Sequence, residues 1–95
     1  MVNTERITQT FCDLVRIDSI GGKERQMADT IRQKLTALGY SSTEDNAGDT
    51  IGGNAGNVIV KIPGNNQAAP LLFMAHMDTV EPGRGKVPIV FITYI

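Results

Sequence analysis

Ninety-five residues bound the chain to one small domain. A composition of 41% hydrophobic and 20% charged residues is that of a folding chain and excludes a disordered one. A net charge of −1 leaves no basic surplus for nucleic acid or an anionic membrane, and a single cysteine excludes an internal disulfide framework and a cysteine-based zinc site.

The N-terminal residues Met1 to Arg6 are polar, with no apolar segment of signal-peptide type behind them. No uncharged stretch approaches the roughly 20 residues needed to span a bilayer. A soluble, cytoplasmic protein is the expectation. Asn3 to Arg16 reads as an amphipathic helix. Asn3 or Thr4 caps it, Glu5 sits in the first turn where the helix dipole favours an acid, and Ile7, Phe11, Leu14 and Val15 follow the helical repeat. Cys12 lies beside that stripe and reads as a small buried hydrophobe, since no flanking base is evident. Asp18 to Gly22 breaks the helix. A second helix is expected from Lys23 to Leu38, with Met27, Ile31, Leu35 and Leu38 on its buried face and Gly39 as its stop. Its charges, Lys23, Glu24, Arg25, Asp29, Arg32 and Lys34, read as a solvated outer face.

Tyr40 to Asn46 suits a short polar edge strand. Ala47 to Asn57 is glycine-rich, but its spacing matches neither phosphate-binding glycine pattern and no helix pattern follows. A turn-rich connection is expected there. Asn57 to Ile62 is a strand rich in β-branched residues, and Pro63 to Asn66 is a turn signal. Leu71 to Ala75 has no charge, which suits a strand buried on both faces. Together these elements predict an α/β fold, two N-terminal helices packed on a small mixed sheet. Glu81 to Lys86 is a loop. Val87 to Ile95 is uncharged, fit for a last strand or an exposed, adhesive tail.

The chemistry concentrates at the end of the Leu71–Ala75 run. It delivers the only histidine, His76, with Asp78 two residues on. Side chains on an extended chain repeat every two residues, so the pair should point the same way. A neutral imidazole binds a divalent metal through one nitrogen while a carboxylate holds the proton of the other, fixing the tautomer and aiming the ring. His76 is the candidate ligand and Asp78 its orienting partner. The bland alternative is a polar cap on a strand end.

The residues Phe73-Met74-Ala75-His76-Met77-Asp78-Thr79-Val80 resemble the His-x-Asp-Thr-Val motif of the zinc aminopeptidase family that includes peptidase T, and with it the aminoacylases and glutamate carboxypeptidases. Leu14 to Ser19, a helix around Glu24, Gly39, and Gly56-Asn57-Val58 before a strand also look like that family's N-terminal region. The likeness covers residues 4–84, and 85–95 form an atypical tail. The resemblance implies a zinc metallopeptidase that hydrolyses N-terminal residues from short peptides. His76 would ligate one of two zinc ions, Asp78 would be the catalytic-site aspartate that orients it, and a glutamate would act as general base. The family's other ligands lie downstream of the matching stretch. Glu81 and Asp49 are the carboxylates here that could approach His76, a poor set for a catalytic zinc. The expectation is therefore a truncated piece of a catalytic domain, a frameshifted or shortened gene product, inactive or nearly so alone. Two rival readings are a non-catalytic α/β protein that binds a partner through its open sheet edge, and a one-metal hydrolase completed by homo-oligomerisation.

Overall fold

In the computed structural model, which describes residues 2–91, helix α1 spans Thr4–Val15. The Asn3 side chain caps it by accepting from the Arg6 backbone N–H at 3.0 Å, and Glu5 lies in the first turn. Helix α2 spans Arg25–Ala37. It starts two residues later than the sequence pattern predicts, because Glu24 turns back to accept from the Gly22 N–H. It ends as the glycine signal predicts. Gly39 takes φ 91°, Gly39 N–H donates to Thr36 O and Tyr40 N–H to Leu35 O, each at 2.9 Å, which satisfies the last free carbonyls.

Strand β1, Ser42–Glu44, pairs antiparallel with β2, Val58–Val60, in the register Ser42 to Val60 and Glu44 to Val58. The connection between them is more ordered than a turn-rich stretch. A single helical turn, α3, occupies Ala47–Thr50. Two of the connection's glycines, Gly48 and Gly56, are there for proximity. A Cβ on Gly48 would stand 2.0 Å from the Ala55 carbonyl oxygen, and one on Gly56 would stand 1.9 Å from that of Asp45.

The helix lying against the sheet is α2. Helix α1 is tied to α2 by Lys34 and Asp13, whose charged atoms meet at 2.8 Å. The expectation that both helices pack on the sheet is thus corrected: Ile7 and Phe11 of the α1 stripe stay exposed, and only the C-terminal part of α1 enters the core. That core is small, formed by Cys12, Ile17, Met27 and Ala28. Cys12 is a buried free thiol, as its place on the helix predicts.

Two further expectations are corrected. The sheet is not mixed: its two strands are antiparallel, and the parallel pairing among the described residues is an isolated bridge between Ile20 and Thr79. The Leu71–Ala75 run is not a strand. Leu71, Leu72, Phe73 and Met74 are 83–88% exposed in an irregular segment. A strand buried on both faces needs a neighbouring edge for its N–H and C=O groups and cover for both surfaces. The described residues give this run neither. Residues 87–91 form no strand and Val87, Ile89, Val90 and Phe91 are exposed, while the rest of the expected last strand, 92–95, lies outside the described residues. Among the described residues no helix is long and apolar enough to cross a membrane.

Candidate functional site

A cleft of about 650 Å³ opens between α2, α3, β2 and the segment 73–78. Its floor is apolar, with Ile31 and Leu35 from α2 and Val58 and Val60 from β2. Its polar lining includes His76 and Asp78, which the irregular segment brings to the rim, and Glu24 from the end of the α1–α2 loop. Glu24 was expected on a solvated face. Its position in the cleft follows from its hydrogen bond to Gly22, which pulls the side chain off the helix surface.

His76 and Asp78 are in contact. The His76 Nδ1 atom lies 2.8 Å from the Asp78 carbonyl oxygen and 3.1 Å from its carboxylate Oδ1. Both are acceptors, so the proton belongs on Nδ1, which donates to them, and Nε2 is left with a free lone pair. The expected pairing is present, reached by a chain that curls so that the ring meets the carbonyl as well as the carboxylate of the same residue. The His76 side chain is 83% exposed and that of Asp78 47%.

As a metal centre the set is partial. The imidazole with its held Nδ1 proton fits a first ligand, and Asp78 fits the partner that orients it. Among the described residues no group of three His, Cys, Asp or Glu side chains stands close enough to share an ion. Glu81 is engaged elsewhere, accepting from the Arg84 Nε–H at 2.9 Å. Asp49 sits in the first turn of α3.

The strongest electrostatic feature is one that the sequence pattern did not single out. The guanidinium of Arg25 grips the Glu44 carboxylate with both terminal nitrogens and also donates to Asp29. Arg25, then the Gly56 N–H, then Arg32 hold the Glu44 carboxyl down to about 2. Glu44 in turn holds the Arg25 pKa above its ordinary value. Asp45 is held below the usual carboxylate range by the side chain and backbone N–H of Asn57 and by the Ala47 N–H. These bonds fasten the loop carrying α3 to β1 and so fix the cleft's floor. Arg25, Asp29 and Arg32 are therefore not merely a solvated face.

The other elements missed in sequence are Asp18, Ser19 and Thr79. The Thr79 N–H donates to the Ser19 carbonyl oxygen at 2.7 Å, and the Gly85 N–H donates to Asp18 Oδ1 at 2.8 Å. All three residues fall within stretches that carry the family resemblance, Leu14 to Ser19 and the His-x-Asp-Thr-Val motif, but nothing in the sequence marked their contact with one another.

Compared with known proteins, the chain is similar to the uncharacterized protein YqjE of Bacillus subtilis, with 38% identity over 95 residues that make up 100% of this chain and 26% of that protein. The chain thus spans about a quarter of the length of this curated relative. No protein-family model matches the chain. No solved structure matches it.

Proposed function

We propose that this chain supplies the first metal-ligating segment of a zinc-dependent aminopeptidase acting on short peptides, with His76 as ligand and Asp78 as the residue that orients it. The observation that carries the reading is the His76 Nδ1 contact with both acceptors of Asp78, which leaves Nε2 as the free donor atom. That is the arrangement a metal-binding imidazole requires, with its second nitrogen committed to a carboxylate. A zinc ion bound there supplies a Lewis acid and a water of lowered pKa. The chain's own residues present the lone pair, fix the tautomer and wall the site with an apolar floor. The remaining ligands and the general base belong to parts of the protein beyond these residues, in keeping with a relative about four times as long.

The test is hydrolysis of unblocked tripeptides by the zinc-loaded gene product at its native length. His76→Ala should abolish turnover, and Asp78→Asn should cost roughly 10–100-fold in metal affinity or activity. Unchanged turnover in His76→Ala rejects the reading. A second reading, a non-catalytic chain that adds a partner strand to its sheet, draws on the outer edges of the two-stranded sheet, unpaired among the described residues. Capture of a full-length relative by the tagged chain, lost on a strand-breaking Ile59→Pro, supports that alternative.

A further inference from the structure

We infer that the α1–α2 loop, through Asp18 and the Ser19 carbonyl, is the positioning element for His76 and Asp78. The inference rests on the site reading above for its purpose, and on hydrogen bonds alone for its geometry. Among the described residues, the hydrogen bonds that join residues 63–91 to residues 2–62 gather on the α1–α2 loop, at Asp18 and Ser19. There are two anchoring points. At the first, the Thr79 N–H donates to the Ser19 carbonyl oxygen at 2.7 Å, and the Thr79 hydroxyl reaches the same oxygen at 3.5 Å. Ile20 and Thr79 form a one-residue parallel bridge there. At the second, the Gly85 N–H donates to Asp18 Oδ1 at 2.8 Å.

Thr79 is the residue next to Asp78, so the first anchor sets the position of the orienting carboxylate directly. A Cβ on Gly21 would stand 3.7 Å from Asp78 Oδ2, so the loop is also the surface against which that carboxylate rests. Ser19 is fully buried, which places the accepting carbonyl on the rigid part of the molecule beside the small core. The segment before His76 is exposed and makes no bond to the rest of the fold. Its location is therefore inherited from the anchored residues downstream, Thr79 and Gly85. Asp18 and Thr79 are positioning residues, acting through Asp78 on the His76 ring.

The experiment is amide hydrogen exchange combined with the long-range nitrogen spectrum of the His76 ring, on the metal-free chain. In the unmodified chain the Thr79 and Gly85 amides should exchange at least about tenfold more slowly than those of Leu71 to Met74. Asp18→Ala should remove the protection of Gly85 and weaken that of Thr79, and should reduce the share of His76 carrying its proton on Nδ1. Asp18→Asn, which keeps an acceptor oxygen, should restore both. Equal exchange at Thr79, Gly85 and residues 71–74 in the unmodified chain overturns the inference, a result that needs no variant to fold. An Asp18→Ala chain with unaltered protection and ring tautomer overturns it as well. Failure of the tripeptide assay leaves these readouts untouched, so loss of the peptidase reading and loss of the anchoring are told apart.

Discussion

Ser19 hides its hydroxyl completely, yet Oγ has no hydrogen-bonding partner. An unsatisfied buried hydroxyl costs roughly 1–3 kcal/mol, while its removal leaves the Cβ and the accepting carbonyl in place. Ser19→Ala should therefore leave stability unchanged or raise it by about 1 kcal/mol in urea unfolding. A loss of that size would show that Oγ is bonded in solution. Gly48 and Gly56 behave oppositely. Alanine at either would put a methyl group inside contact distance of a backbone carbonyl, and the backbone on both sides is fastened by Glu44 and Asp45. Each substitution should lower the melting temperature by several degrees, as expected for overpacking of about 1–3 kcal/mol in a chain this small. His76 and Asp78 were legible as a pair because chemistry specifies both residue types and their spacing. Asp18 was not, because its role is to accept from an amide 67 residues away, and nothing in a local pattern marks a contact at that range.

Among the elements, α1, α2 and the Gly39 stop were legible because caps, repeat and glycine act within a few residues. The Leu71–Ala75 run shows where such reading stops. A strand is made by its neighbours, and an apolar run is only a candidate until an edge accepts it. The salt bridge between α2 and β1 was equally hidden, since Arg25 and Glu44 lie 19 residues apart. It has a pH signature. The Glu44 carboxyl is held at about 2, below its ordinary 4.5, so its contribution is present above pH 4.5 and is lost as pH falls through that interval toward 2. With Arg25 half exposed and screened by solvent, the loss should be on the order of 1 to 2 kcal/mol. Glu44→Gln should flatten the stability profile between pH 4.5 and 2, and parallel profiles for the two chains would reject the assignment. At the other end of the fold, Asn3→Ala should cost about 1 kcal/mol of stability through the lost α1 cap, read by thermal unfolding.

At the scale of the whole molecule the surface is large. The accessible area is 8121 Å², against about 5,400 Å² for a compact chain of this mass. The radius of gyration is 15.7 Å where about 12 Å is usual for this length. Much of the excess is apolar, with Leu71 to Met74 exposed in one continuous run beside a cleft with an apolar floor. Such a patch favours association. The chain should bind a hydrophobic dye in its native state and sediment as more than a monomer at raised concentration. A Leu71→Asp, Phe73→Asp double variant should suppress both without lowering the melting temperature, because those side chains make little contact with the fold. A marked fall in melting temperature would mean that the run is packed in solution.

The two anchors on the α1–α2 loop both lie beyond Asp78, so the span from Pro63 to Ala69 works as slack rope between fixed posts. Rope of this kind can be lengthened cheaply: doubling a flexible loop adds only about 0.6 kcal/mol to its closure. A peptide epitope grafted between Asn65 and Asn66, where the backbone is exposed and bonded only locally, would leave His76 resting against Asp78. The molecule thus offers a graft point on the same strand of chain as its chemistry, close to it in sequence and mechanically uncoupled from it.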